Sequence, residues 1–222
     1  MISPYNRMAK KGVIFIIGIL LVGAIAVAFF LAQNGMFSQF DAEGRYDSSH
    51  LNTMGVVYED QSNITAFNEG YSTTDTCPWG FAHDGIDYFF ANDSEVIAAA
   101  PGLVTQVKSK DYGSEVENQY HILIEIQYNA TTYVSYNFEP WTQDEADKEH
   151  QEQLFAVSEG EWVQKGDQIA TFLAIGSGAH IHFDIREDGN KPCPTKYFDT
   201  AGYSEIMDLI HSFHPTWNLC YT

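Results

Sequence analysis

Two short motifs carry side chains that can bind a metal. His83-Asp84-Gly85-Ile86-Asp87 offers an imidazole and a carboxylate, both good zinc ligands, and Gly85 permits a tight backbone path between them. A His-x-x-x-Asp pair alone fits an ordinary surface turn equally well. His180-Ile181-His182 lies within a run patterned as a strand. Side chains alternate across a strand, so both imidazoles share one side while Ile181 and Phe183 face the core. Two histidines aimed at one spot suit two ligands, one ligand plus one acid–base group, or two half-buried side chains with hydrogen-bond partners. Asp184 shares their face, as an acceptor that orients one imidazole or as a solvated carboxylate. Trp79, Phe81, Tyr88, Phe89 and Phe90 surround the first motif and would wall it from water.

The elements that must position these residues are short β-runs punctuated by turns. From residue 76 onward, β-branched and aromatic runs cover 96–100, 103–107, 120–128, 131–138, 162–163, 168–173 and 180–186, with Pro101-Gly102, Gly160 and Gly166-Asp167 at turns. Asn129-Ala130 between two such runs reads as a hairpin. Only 144–155 and 204–213 have helical character, the second from its Ile206/Leu209/Ile210/Phe213 spacing. The expected fold is all-β, a mainly antiparallel, barrel-like sandwich with a groove, spanning 76–200. Residues 33–75 are polar and weakly periodic and read as a tether with one strand near 55–58. Residues 201–222 read as a C-terminal packing element, with His211 and His214 in packing rather than in a site.

Residues 13–32 hold no charge and are long enough to cross a ~30 Å hydrocarbon core as a helix. Arg7, Lys10 and Lys11 precede this run, so the positive-inside rule puts residues 1–12 in the cytoplasm and the rest of the chain outside. An uncleaved single-pass anchor is expected, with a cleaved signal peptide and a pilin-type leader as alternatives. Beyond this segment 8 basic residues face 30 acidic ones, within a formal net charge of −19 for the chain. So acidic a domain repels nucleic acid and anionic lipid, which makes both poor partners. Cys77, Cys193 and Cys220 lie in the exported part, where one disulfide can persist. Sequence alone does not choose the pair. Cys193–Cys220 is the pairing entertained here, since it would tie the C-terminal tail down.

HDGIDY, then VIAAAPGLVTQV, EGEWVQKGDQIATF and HIHFDIREDGNKPCP, resembles the lysostaphin-type (LytM-like) zinc metallopeptidases in order and spacing, over residues 79–194. The resemblance implies a β-sheet groove with zinc at its floor, held by His83, Asp87 and His182, with His180 as a catalytic histidine. It implies a zinc endopeptidase that hydrolyses peptide bonds of peptidoglycan or other extracellular peptides, membrane-anchored if residues 13–32 span as read above. The family also has a second catalytic histidine in a Tyr-x-His strand motif. Here Tyr136 matches that motif and Phe138 stands in the histidine's place, with His121 as a substitute if the fold brings it near. Phenylalanine donates no hydrogen bond, so the alternative is a catalytically impaired, zinc-retaining binding module. The loop 176–179 is shorter than usual in the family and leaves one groove wall undefined.

Overall fold

The computed structural model describes residues 53–222. The elements run β1 (Ile64–Ala66), β2 (Tyr71–Ser72), β3 (Ile86–Phe90), β4 (Ser94–Ile97), β5 (Gly102–Asp111), β6 (Tyr120–Gln127), β7 (Thr132–Glu139), α1 (Glu145–Gln153), β8 (Trp162–Val163), β9 (Gln168–Phe172), β10 (His180–Glu187), α2 (Thr200–Phe213) and β11 (Cys220–Tyr221). Seven strands form one antiparallel sheet in the order β1-β3-β10-β7-β6-β5-β8. β4 pairs with β9 antiparallel, and β11 pairs with β2 in parallel, a departure from purely antiparallel pairing. The mainly antiparallel β expectation therefore holds, and the two helices fall where 144–155 and 204–213 were expected to be helical.

Strand alternation divides the central sheet into two faces. Ile122, Ile124 and Ile126 of β6, Val134, Tyr136 and Phe138 of β7, and Ile181, Phe183 and Ile185 of β10 are all buried in one hydrophobic core. Each such side chain contributes about 1.5–3 kcal/mol by leaving water. Their alternate neighbours form the other face: Leu123 and Glu125, Ser135 and Asn137, His182 and Asp184. A one-residue slip of β10 would exchange its histidines for isoleucine and phenylalanine, so core burial locks the register that the site needs.

The hairpin between β6 and β7 turns at residues 128–131, where Asn129 Oδ1 accepts from the amides of Thr131 and Thr132 at 2.9 and 2.8 Å. Asp144 caps α1 by accepting from Ala146 N, and Asp199 caps α2 by accepting from Gly202 N. Ile206, Leu209 and Ile210 of α2 join the core. Residues 53–75 are part of the folded body, unlike a tether. Met54, Val57, Tyr58 and Phe67 are buried, and β1 and β2 pair with β3 and β11. Their apolar residues are too scattered for a periodic signal. Cys193 and Cys220 form a disulfide, and Cys77 is a buried free thiol. No helix among the described residues is long and apolar enough to cross a membrane; the expected span at 13–32 lies outside them.

Candidate metal centre

Register brings the two motifs together. β10 lies between β3 and β7, and within the β3–β10 ladder His182 is the direct partner of Asp87. His83 enters from the segment before β3, where its backbone exchanges both hydrogen bonds with Ser72 at 2.7 and 2.8 Å. Three ligand-type atoms converge: His83 Nε2 to His182 Nδ1 is 3.0 Å, His182 Nδ1 to Asp87 Oδ1 is 2.8 Å, and His83 Nε2 to Asp87 Oδ1 is 3.3 Å. Zinc held tetrahedrally at ~2.0–2.1 Å from N and O atoms spaces its ligands about 3.3 Å apart. The triangle already has nearly that size, and this donor set suits zinc.

The outer contacts orient both rings. His83 Nδ1 lies 2.8 Å from the Gly70 carbonyl, which fixes the proton there and leaves Nε2 as the lone pair. His182 Nε2 lies 3.3 Å from Asp84 Oδ1, which holds a proton there and leaves Nδ1 as the nitrogen that faces Asp87 and His83. Asp184, expected in that role from its shared face, is 3.8 Å away and pairs with Lys191 at 3.2 Å. Asp84 takes the nearer place and also meets Lys191 at 2.9 Å. Sequence reading missed Asp84 although it sits inside the first motif. Gly85 serves by absence of a side chain: a Cβ there would lie 2.6 Å from His182 Cε1 and Nε2. The close approach of the imidazole, more than a turn, requires glycine.

Electrostatics favour a bound cation. Burial works against a charged His182, but hydrogen bonds to Asp84 and Asp87 outweigh it and push the imidazole up to about 10 in the metal-free protein. Burial alone would raise the Asp87 carboxyl; its hydrogen bonds from His182 and His83 hold it well below the usual carboxylate range. Glu69, not anticipated from sequence, is raised to about 7 by burial and by the adjacent Asp87 carboxylate.

His180 stands beside this cluster. Its Nδ1 lies 2.7 Å from the Gly178 carbonyl, and its Nε2 lies 3.6 Å from Asp87 Oδ2 and 3.5 Å from Glu139 Oε2. Phe89 stacks on its ring at 5.1 Å. Trp141, whose φ of 61° is rare for a bulky residue, packs against the 176–179 loop. A Cβ on Gly178 would lie 2.6 Å from its ring and one on Gly176 2.7 Å from its carbonyl oxygen, and the ring centre is 5.9 Å from that of His180.

The β7 expectation needs correction. Phe138 is fully buried on the core face, packed against Phe155 and Phe172, and a histidine at that position would not reach the groove. Tyr136 is likewise a core residue, its hydroxyl accepting from Ala99 N at 2.6 Å, and has no place in the site. Strand parity is the reason: Ser135, Asn137 and Glu139 are the β7 residues paired across from Asp184, His182 and His180. The groove does receive a second histidine, from β6. His121 lies 3.3 Å from Glu139 Oε1, the carboxylate that also faces His180, and the Asn137 and Asn118 amides lie 3.0 Å from its two ring nitrogens. Burial lowers the His121 imidazole, outweighing the opposite pull of the Glu139 carboxylate. Phe138 therefore belongs to core packing and not to the groove.

No protein-family model and no curated protein matches this chain. Among solved structures it is similar to a zinc-containing peptidase from Vibrio cholerae, at 18% identity and a TM-score of 0.44, over 64% of this chain and 39% of that one. It is similar to the catalytic domain of a point mutant of the prophage-encoded M23 protein EnpA from Enterococcus faecalis, at 19% identity and a TM-score of 0.44, over 64% of this chain and 96% of that one. Lysostaphin from Staphylococcus simulans matches at 17% identity and a TM-score of 0.43, over 68% of this chain and 56% of that one.

Proposed function

We propose that the chain is a zinc-dependent endopeptidase, anchored through residues 13–32 with its folded domain outside the cell, acting on peptide bonds of cell-wall or other extracellular peptides. The observation that carries this reading is the triangle of His83, Asp87 and His182 at zinc-ligand spacing, beside a groove and next to a third histidine, His180. Three protein ligands leave a fourth position open, the catalytic rather than the structural arrangement. A zinc ion held there would activate water and polarise a substrate carbonyl. His180 is positioned to hold and pass a proton at Nε2, since its Nδ1 is committed to the Gly178 carbonyl. Asp84 and the Gly70 carbonyl keep both ligand rings in the metal-binding tautomer. Glu139, steadied by Asn118, Asn137 and His121, orients His180 from the side away from Asp87. Trp141 and Phe89 shield His180 from water.

The test is zinc content together with peptide cleavage. Wild type should carry about one zinc per chain and cleave a glycine-rich peptide or purified peptidoglycan in a chelator-sensitive way. His182→Ala should lose the zinc, while His180→Ala should keep it and lose cleavage. A His180→Ala variant as active as wild type would refute the role given to that residue. A folded chain without zinc would replace the peptidase reading with that of a groove-binding module.

A further inference from the structure

The described residues 53–222 hold seven Lys and Arg against 27 Asp and Glu. Four of those seven, Lys108, Lys110, Arg186 and Lys191, line one open groove of about 240 Å³ that also reaches His182. Two of the four are neutralised: Arg186 by Glu125 at 2.6 Å, and Lys191 by Asp84 and Asp184 at 2.9 and 3.2 Å. Lys108 and Lys110 have no carboxylate partner among the described residues. Lys108 Nζ meets the Gln106 amide oxygen, and Lys110 Nζ rests 4.0 Å from the centre of the Tyr112 ring. In so acidic a protein, two unpaired cations side by side in the groove are the feature that composition does not explain.

Their register relative to the metal cluster is defined. Lys108 pairs with Leu123, Leu123 with Asn137, and Asn137 with His182, so one row crosses β5, β6, β7 and β10 to a metal ligand. The neighbouring row runs from Lys110 through His121 to Glu139 and His180. Three strand spacings of ~4.8 Å put the lysine backbones about 14 Å from the histidines, the span of about four extended residues at ~3.3 Å each. Long-range repulsion by the net negative charge is screened within a Debye length of ~8 Å at physiological salt, so the local lysine pair decides what binds there.

We propose that the groove selects an acidic peptide, one with a carboxylate side chain about four residues from the bond placed at the metal cluster, held by Lys108 and Lys110. This deepens the peptidase reading and rests on it only for the position of the bond. The lysines are exposed and far from the core, so Lys108→Gln/Lys110→Gln leaves the fold intact.

The test uses the full-length chain in non-ionic detergent and a dye-labelled acetyl-Gly-Gly-Gly-Gly-Glu amide beside its Gln counterpart. Anisotropy is read in EDTA, so that no turnover intervenes, and zinc content and cleavage are scored separately on untreated protein. The Glu peptide should bind about five- to tenfold tighter than the Gln peptide at low salt, for two exposed charge contacts, and the difference should collapse in high salt and in the double variant. Equal binding of both peptides by wild type, with zinc and cleavage intact, overturns this inference alone. A Glu preference without zinc or cleavage overturns the peptidase reading and keeps the lysine site. A preference that survives in the double variant, or tighter binding of a polyphosphate of matched charge, overturns the assignment.

Discussion

At the residue scale the central object is the His83–Asp87–His182 triangle, which holds a proton in the metal-free protein and has the donors to hold a metal ion in its place. His182 is raised to about 10 in the metal-free protein, so at pH 7–8 it is protonated and must shed that proton to bind zinc. Calorimetry in buffers of different ionisation enthalpy should show release of about one proton per zinc at pH 8. Gly85 is the second test at this scale. A methyl group there would meet both His182 ring atoms and the Phe183 carbonyl, so Gly85→Ala should weaken zinc binding at least tenfold while the circular dichroism spectrum stays native. Phe138 and His121 give opposite expectations. Phe138→His should cost about 2–4 kcal/mol of stability, from a lost buried ring and an unpaired imidazole, and should create no activity. His121→Ala should keep zinc and lower kcat about 10- to 100-fold, as loss of a supporting hydrogen-bond partner does, with a shifted pH profile.

At the element scale the site depends on β10 lying between β3 and β7 and on the loop that follows it. That loop carries Lys191, which holds Asp84 and Asp184, and its backbone carbonyl accepts from the Tyr71 hydroxyl at 3.0 Å. Its far end is tied by the disulfide, across a sequence separation of 27, to β11, which pairs with β2. Replacing both cysteines by alanine should lower unfolding free energy by about 2–4 kcal/mol in a denaturant titration. The same change should loosen Lys191 and so weaken zinc binding; unchanged affinity would show that Asp84 alone suffices to hold His182.

At the scale of the whole molecule, the metal-free fold carries protons that the unfolded chain gives up earlier. His182 stabilises the fold fully below its ordinary value of 6.5, and that contribution is lost as pH rises through about 10. Glu69, raised from 4.5 to about 7, acts in the same direction, because the folded state holds its proton longer. The Tm of the EDTA-treated chain should therefore fall between about pH 5 and pH 10, and zinc-loaded protein should fall less, since the ion replaces the His182 proton. A flat metal-free profile would contradict the protonation of these groups.

The sequence alone was sufficient for the mainly β character, the β6–β7 hairpin and both helices; it offered His83, Asp87, His180 and His182 as candidates, and only the family resemblance chose three of them as ligands. The three structural features rest on local properties: period-2 alternation, turn residues and helical spacing. It was insufficient where two distant segments meet. Nothing local in β7 distinguishes Phe138 facing the core from Phe138 facing the groove; pairing with β6 and β10 decides it, and with it the choice of His121 over a β7 histidine. Asp84 outranks Asp184 because β3 and β10 are neighbours, a fact of sheet order. Residues 53–75 belong to the folded body because the other side of the sheet offers them a core to cover, and the lysine pair becomes a groove feature only when four strands align. Periodicity is written residue by residue, whereas proximity between strands follows from which pairing buries the most apolar surface, and that is settled by the whole chain at once.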